Sequence, residues 1–283
     1  MLKRKFGWTN DKVPVIGQGT WMIEGSHESE QLAIEGLRAG LDSGLTHIDT
    51  AEMYGNGRVE EMVAEAITGR RDEVFLVSKV LPANASYEGT IRACERSLKR
   101  LNTDWLDLYL LHWPGSYPIR ETMRAMEKLV SEGMVRFVGV SNFDVEDLMA
   151  AERALRNERI ACDQVLYHLD YRGIEHRLLQ YCTEQKIAVV GYAPFGHGNF
   201  PSPESPRGGL LVEIGKRHGR TPYQVTLNFL IRHPNIFTIP KTSRTERARE
   251  NSGGVGWELT EDEVAAIDHA FPVSDQHGPL ELI

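Results

Sequence analysis

Four side chains of the sequence have the chemistry that the reduction of a carbonyl group requires: Asp49, Tyr54, Lys79 and His112. Such a reaction brings a hydride to the carbon and a proton to the oxygen. A free tyrosine, with a pKa of about 10, is a poor proton donor at neutral pH. A neighbouring ammonium stabilises the phenolate and lowers that pKa. The sequence therefore predicts that Lys79 lowers the pKa of Tyr54, which then acts as the general acid.

The other two residues complete a proton-relay site. Lys79 lies between Val77 and Val80, and a lysine buried there needs an opposite charge, for which Asp49 is the natural partner. His112 can donate a hydrogen bond that orients and polarises the carbonyl. Each residue alone also has an ordinary structural explanation, as a packing tyrosine, a paired lysine or a satisfied core histidine. Their joint placement favours the catalytic interpretation.

Short apolar runs with helical segments between them must position these residues. Most of the apolar runs are rich in Val, Ile, Leu, Phe or Tyr, which is typical of buried parallel strands. The predicted strands are Gly17–Trp21, Thr46–Ala51, Val74–Val80, Leu106–Trp113, Val135–Asn142, Cys162–Leu169, Ala188–Phe195 and Ile236–Thr242. The intervening segments are amphipathic; Ile91, Cys94, Leu98 and Leu101, for example, share one helical face. Asp144 and Thr260 are predicted to begin two of the helices.

Eight strands alternating with helices form either a closed barrel or an open doubly wound sheet. An open sheet that binds a dinucleotide normally carries GxGxxG after its first strand. Residues 17–22, GQGTWM, have the first two glycines and lack the third. We therefore predict an α/β fold, a (β/α)8 TIM barrel, as a single domain over residues 1–283. In such a barrel the active site lies at the carboxyl ends of the strands.

Composition narrows the possible partners and the compartment. The formal net charge of −8 argues against nucleic acid or an acidic membrane surface as the main partner. The three cysteines form no CxxC pair, and no run of about 18 apolar residues is present, so we predict no disulfide framework, no membrane span and a cytoplasmic location. The segment Gly196–Gly209, rich in Gly, Pro and Ser, is predicted to be a surface loop that closes over a cofactor.

The motifs, taken in order, resemble those of the aldo-keto reductase family, in particular its bacterial diketogluconate and aldehyde reductases. DTAEMYGN at residues 49–56 is similar to the signature of the second strand. VSKV at 77–80 and LLHWP at 110–114 resemble the lysine and histidine segments. GQGTW at 17–21, GVSNF at 139–143 and IPKTSRTERAREN at 239–251 complete the series. The resemblance runs from residue 17 to residue 251, nearly the whole chain.

This resemblance implies NADPH as the cofactor and a small-molecule carbonyl as the substrate. It implies that Ser141, Asn142 and Gln164 bind the nicotinamide carboxamide and that Tyr192 stacks on the ring. Trp21 and Trp113 should line the substrate pocket together with Tyr54 and His112. The full set of implied cofactor-binding residues is Gly19, Thr20, Trp21, Asp49, Ser141, Asn142, Gln164, Tyr192, Ala193, Pro194, Phe195, Gly196, Ile239, Pro240, Lys241, Thr242, Ser243, Arg247, Glu250 and Asn251.

The motif at residues 239–251 points to the 2′-phosphate of NADPH. Lys241, Arg244, Arg247 and Arg249 cluster in one short segment of an acidic protein. Arginine binds phosphate through two hydrogen bonds, although a solvated basic helix face would have the same composition. Ala193 departs from the family pattern, in which serine is common, and this removes a hydroxyl near the cofactor diphosphate.

Two alternatives remain open at this point. A metal-dependent barrel hydrolase could use His47, Asp49, Lys79, His112 and His168 around a zinc, although we predict no metal site. A non-enzymatic relative that senses the cofactor is compatible with an intact set of four residues, because fold does not imply function. Aromatic aldehydes, aldoses, keto acids and dicarbonyls all remain possible substrates. A monomer is the expected oligomeric state.

Overall fold

The computed structural model describes residues 1–273, 280 and 282. Its strands are β1 (Lys3–Lys5), β2 (Lys12–Pro14), β3 (Gln18–Gly19), β4 (His47–Asp49), β5 (Phe75–Val80), β6 (Leu106–Leu111), β7 (Val135–Ser141), β8 (Ile160–Leu166), β9 (Ala188–Tyr192) and β10 (Ile236–Ile239). Its helices are α1 (His27–Asp42), α2 (Arg58–Ala66), α3 (Tyr87–Leu101), α4 (Ile119–Ser131), α5 (Val145–Ala154), α6 (Leu178–Gln185), α7 (Pro206–His218), α8 (Pro222–Leu230), α9 (Thr245–Ser252) and α10 (Glu261–Ala270).

Strands β3 to β10 form the predicted parallel barrel. Each pairs in parallel with the next strand along the chain, from β3 to β10. The first and last strands then meet. The Gly17 amide donates to the Thr238 carbonyl at 2.8 Å, and the Gly19 amide donates to the Pro240 carbonyl at 3.2 Å. The sheet thus closes on itself, and the helices between successive strands surround it.

The antiparallel hairpin of β1 and β2 contributes to the amino-terminal end of the barrel interior. Phe6, in the turn between these strands, is fully buried. Its ring centroid lies 5.0 Å from that of Phe75, at the start of β5, and 5.0 Å from that of Phe237, in β10. Burying aromatic rings of this size is a major apolar contribution to stability. The amino-terminal end of the barrel is therefore filled by side chains, and the carboxyl-terminal end is left for a functional site.

The two helix starts that the sequence predicts, at Asp144 and Thr260, are confirmed. Asp144 accepts a hydrogen bond from the Asp147 amide at the start of α5. Thr260 and Glu263 form a complete capping box at the start of α10. Both contacts satisfy backbone amides that have no partner within the helix. None of the helices within residues 1–273 combines the length and the apolar character that crossing a membrane requires.

Two sequence predictions need correction. The sequence predicts that His168 lies in a strand, but β8 ends at Leu166. His168 lies in the following turn, where its amide donates to the Tyr171 carbonyl and the Tyr171 amide donates to the His168 carbonyl. The loop predicted to extend to Gly209 ends at Ser205. Ser205 accepts from the Gly208 amide and Pro206 is the first residue of α7, a helix start that the abundance of Gly and Pro concealed.

Candidate active site

The alternation of side chains along the strands brings the four predicted residues to one end of the barrel. In β5, Phe75, Val77 and Lys79 share a face, because successive side chains of a strand point in opposite directions. Phe75 and Val77 belong to the interior core, so Lys79 forms the next layer toward the carboxyl end. Asp49 is the last residue of β4, and His112 directly follows β6. Tyr54 begins a short 3₁₀ turn after β4.

Lys79 connects these residues. Its side chain is fully buried, and Nζ donates to Asp49 Oδ1 at 2.5 Å, to the Thr50 carbonyl at 3.0 Å and to the Tyr54 hydroxyl at 3.2 Å. An ammonium group only donates hydrogen bonds. The Tyr54 oxygen is therefore the acceptor, and its own proton is left for a second acceptor in the adjoining cavity.

The predicted direction of the Tyr54 pKa was wrong for the free protein. Burial raises the pKa of Tyr54, and the charge of Lys79, which acts in the predicted lowering direction, does not overcome it. Burial also lowers the pKa of Lys79, but Asp49 and Tyr54 more than reverse this, so its pKa is raised. Lys79 is therefore a charged ammonium beside a protonated Tyr54, the state in which tyrosine can donate a proton.

His112 faces Tyr54 as a neutral ring. The ring centroids are 5.7 Å apart at an interplanar angle of 73°, and the Trp113 ring lies 4.8 Å from that of His112. Burial, assisted by the charge of Lys79, lowers the pKa of His112 to about 2. A neutral imidazole still carries one N–H and can donate a hydrogen bond to a carbonyl oxygen.

Gln164, in β8, links this group to the other side of the barrel. Its Nε2 donates to Asp49 Oδ2 at 2.6 Å, so both carboxylate oxygens of Asp49 are occupied. Ser141 Oγ donates to the Gln164 carbonyl at 2.8 Å. Asn142 has a left-handed backbone, with φ of 62°, and its Oδ1 accepts from the Tyr192 hydroxyl at 2.9 Å. Three amide or hydroxyl side chains are thus held at the end of β7 and β8.

One cavity of about 660 Å³ joins the two sides. It is lined by sixteen of the predicted residues: Gly19, Thr20, Trp21, Asp49, Tyr54, His112, Trp113, Ser141, Asn142, Gln164, Tyr192, Ala193, Pro194, Phe195, Ile239 and Lys241. Lys79 lies beneath it, in contact with Tyr54. The other predicted cofactor residues do not line it: Gly196, Pro240, Thr242, Ser243, Arg247, Glu250 and Asn251.

Most of these remaining residues lie beyond Lys241, in the loop after β10 and in α9. Arg247 pairs with Glu250 at 2.7 Å, and its guanidinium lies 4.9 Å from the centroid of the Tyr223 ring. No side chain caps α9 at Arg244, so backbone amides of its first turn are left for an anion. The amide side chains of Asn142 and Gln164 lie at one end of this region, and the basic, uncapped helix α9 lies at the other. This arrangement fits an elongated dinucleotide that carries phosphates.

Five residues that line the cavity were not named individually as site residues: Met22, Met53, His197, Gly198 and Leu282. His197 and Gly198 belong to the loop that the sequence predicts to close over a cofactor. The Trp21 and His197 rings stack at 5.0 Å and 15°, so the loop after β9 contacts the loop after β3. Met53 lies inside the DTAEMYGN motif and could have been inferred from its position one residue before Tyr54. No comparable signal in the sequence marks Met22 or Leu282, because loop conformation decides their placement.

The arrangement offers little to a metal ion. His47 is buried against the Phe6 and Phe75 rings, away from His112, and burial lowers its pKa to about 3. His168 does not line the cavity. In the part of the chain that the structure describes, no three His, Cys, Asp or Glu side chains form a group that could hold a metal.

Comparison with known proteins places this geometry in a family. The model of the Aldo/keto reductase family matches residues 15–271. Methylglyoxal reductase YeaE of Escherichia coli is 41% identical over 96% of this chain and 95% of its own length. Glyoxal reductase of Bacillus subtilis is 35% identical over 95% and 92%. The structure of an aldo-keto reductase from Klebsiella pneumoniae in complex with NADPH is 42% identical, covers the whole of both chains and has a TM-score of 0.93. With these matches and its closed parallel barrel, the chain belongs to the aldo/keto reductase family.

Proposed function

We propose that this protein reduces an aldehyde or ketone to the alcohol with NADPH, and that Tyr54 donates the proton. The observation that carries the proposal is the chain of hydrogen bonds from Gln164 through Asp49 and Lys79 to Tyr54. It ends at a hydroxyl that faces the cavity beside His112. The catalytic residues are Asp49, Tyr54, Lys79 and His112.

The cofactor residues follow the length of the cavity. Ser141, Asn142 and Gln164 hold the carboxamide of the nicotinamide, and Tyr192 packs against the ring. Lys241, Thr242, Ser243 and Arg247 bind the 2′-phosphate, and Glu250 and Asn251 contact the adenine. The bound cofactor supplies the hydride. The positive charge of the loop after β10 supports NADPH over NADH, since the 2′-phosphate is what distinguishes them.

The protein's own groups handle the proton. Tyr54 and His112 both donate hydrogen bonds to the substrate oxygen and hold the carbonyl carbon in place. As charge develops on that oxygen, Tyr54 transfers its proton, and the phenolate that results lies beside the Lys79 ammonium. Asp49 keeps Lys79 charged and fixed. Preorganised donors of this kind stabilise the transition state without reorganisation.

The relatives suggest a substrate. Two of them are named as reductases of methylglyoxal and of glyoxal, which are small dicarbonyl aldehydes. We propose that this protein also reduces such compounds. A cavity walled by Trp21, Met53 and Trp113 accommodates a small carbonyl compound without demanding a specific hydroxyl pattern.

Steady-state oxidation of NADPH, followed by absorbance, tests the proposal. We expect turnover with methylglyoxal and with simple aromatic aldehydes, and a higher kcat/KM for NADPH than for NADH. Absence of turnover with every carbonyl tried, with NADPH bound tightly, would indicate instead a protein that senses the cofactor. Equal use of NADPH and NADH would contradict the assignment of the 2′-phosphate residues.

We further propose that residues 1–283 form one domain and act as a monomer in the cytoplasm. Strands β1 and β2 pack into the barrel that the later strands form, which supports one folding unit. All three cysteines are free and buried, as expected in a reducing compartment. Light scattering coupled to size-exclusion chromatography tests the monomer; a mass near 64 kDa, twice the 31.9 kDa of the chain, would contradict it.

A further inference from the structure

From the charges around the cavity we infer that the protein selects uncharged carbonyl substrates and rejects those that carry a carboxylate or phosphate elsewhere in the molecule. This inference rests on the proposed function and specifies its substrate class. It follows from the distribution of basic residues, which differs between the two ends of the same cavity.

The loops at the catalytic end contain no permanent cation. They follow β3, β4, β5 and β6, and they comprise residues 20–26, 50–57, 81–86 and 112–118. None of these segments contains lysine or arginine, whereas two contain glutamate, Glu24 and Glu52. A substrate that enters between these loops therefore meets no positively charged side chain from them.

The arginines that flank these loops are engaged elsewhere. Arg58, directly after the second loop, pairs with Glu30 at 2.8 Å and with Glu61 at 2.9 Å. Arg96, in α3, pairs with Glu52 at 3.4 Å. Arg120, in the first turn of α4, does not line the cavity. The cations near this end are thus bound to carboxylates or are absent from the lining of the cavity.

The described residues after α10 do not change this balance. These residues, 271–273, 280 and 282, include no lysine or arginine. Leu282 lines the cavity with an apolar side chain.

The groups that do reach the substrate are also unsuited to a second anion. Among the described residues, Lys241 is the only lysine or arginine that lines the cavity, and it follows β10 at the cofactor end. His112 is neutral because its pKa is lowered by burial and by Lys79. The side chains from the loops after β3, β4 and β6 that wall the cavity are Trp21, Met22, Met53 and Trp113, and His197 from the loop after β9 stacks on Trp21. A carboxylate buried against such walls loses its hydration without gaining a counter-ion.

A matched pair of substrates tests the inference directly. Para-carboxybenzaldehyde and its methyl ester present an aldehyde on the same ring, and they differ in one negative charge, in one methyl group and in the electron withdrawal at the aldehyde. The ratio of their rates of reduction by borohydride measures the difference in intrinsic reactivity, and the enzymatic ratio is divided by it. We expect kcat/KM to be about 30-fold higher for the ester, the size of an uncompensated charge in a partly buried site. Values within about threefold of each other would overturn the inference. If neither these compounds nor methylglyoxal is reduced, the proposed function fails instead, so the two failures are distinguishable.

Substitution at Met22 tests whether an added positive charge makes the acid a better substrate. Met22 lines the cavity and is 56% exposed, so a longer polar side chain has room to extend. Met22→Lys should shift the ratio of kcat/KM for the acid over the ester upward by about tenfold. Met22→Gln is the control, with similar size and no charge, and should leave the ratio unchanged. The same shift in both variants, or no shift in Met22→Lys, contradicts a selection by charge.

Discussion

The two halves of the barrel mouth are built differently. The loops after β3 to β6, which surround the proposed substrate position, present Trp21, Met53 and Trp113 and no lysine or arginine. The loops after β7 to β10 present amide side chains and a basic segment. Left-handed backbone at non-glycine residues is common to both halves: Asn142 and Ala193 in the second half have φ of 62° and 51°, and Met22 and Asn56 in the first have φ of 59° and 51°. Non-glycine residues rarely adopt this conformation, since it costs roughly 1–2 kcal/mol.

This difference corresponds to two kinds of recognition. Hydrogen bonds fix the cofactor half, for example from Tyr192 to Asn142 and from Ser141 to the Gln164 carbonyl. Such a surface recognises one molecule, because an unmatched polar group costs free energy. Ring and thioether contacts form the substrate half, and these tolerate differences in shape. We therefore expect the protein to be more selective toward its cofactor than toward neutral substrates.

Tyr54→Phe should distinguish the two halves most clearly, because it should affect catalysis and not the binding of NADPH. It removes the proton donor, for which we expect a loss of about 10³-fold in kcat. The ring and its contact with His112 are retained. Rapid-mixing measurements of turnover with methylglyoxal, together with titration of NADPH by protein fluorescence, give both quantities. The affinity for NADPH should stay within about twofold of the wild type, because the lost hydroxyl lies in the other half.

Two results would contradict this separation. Turnover close to that of the wild type would show that another group donates the proton. A large fall in NADPH affinity would show that the two halves are coupled through Lys79. Circular dichroism of the variant is the control for folding.

Arg247→Ala tests the cofactor half by itself. Loss of one charged contact to phosphate should weaken NADPH binding by about 1.5–3 kcal/mol, or roughly 10- to 100-fold. NADH lacks the 2′-phosphate, so its dissociation constant should not change. Calorimetric titration with each dinucleotide measures both constants.

Arg249→Ala is the matched control for Arg247. It removes the same charge from the same exposed helix, α9, at a position for which no phosphate contact is proposed. Its effect on NADPH should be small and attributable to long-range electrostatics. Equal effects of the two substitutions would make this segment a general basic surface, and equal effects on NADPH and NADH would remove the 2′-phosphate assignment.

The sequence predicts the shared framework of both halves well. All eight barrel strands overlap the predicted segments, because buried parallel strands have continuous apolar runs, although β8 begins two residues before its predicted segment. The pairing of Lys79 with Asp49 is predicted because a buried lysine needs a counter-ion. The ends of the strands are less accurate. The segment Thr46–Ala51 contains only three strand residues, since beyond Asp49 the chain turns and the Thr50 carbonyl accepts from Lys79.

What depends on three-dimensional packing is not predictable in this way. The stacking of His197 on Trp21 requires two loops that are 176 positions apart in the sequence to meet. The pKa of Tyr54 depends on how completely the ring is buried, and it is only 8% exposed. A charge partner is visible in a sequence, whereas the degree of desolvation is not. This is why the predicted direction of the pKa was wrong although the partner was correct.

The pH dependence of kcat/KM tests whether burial raises the pKa of Tyr54. Of the predicted effects on activity, this one is the smallest. Tyr54 donates its proton from the protonated form, which is lost as the pH rises through its pKa; burial raises that pKa from the usual value of about 10. His112 is neutral at any pH above its pKa of about 2. Neither group should titrate between about pH 5.5 and 9.5, so kcat/KM for a neutral aldehyde should vary by less than about twofold over that range. If Lys79 outweighed burial, kcat/KM would fall on the basic side with a pKa below about 10. A fall on the acidic side near pH 6.5, the usual pKa of histidine, would show a solvated His112 and therefore a more open substrate half.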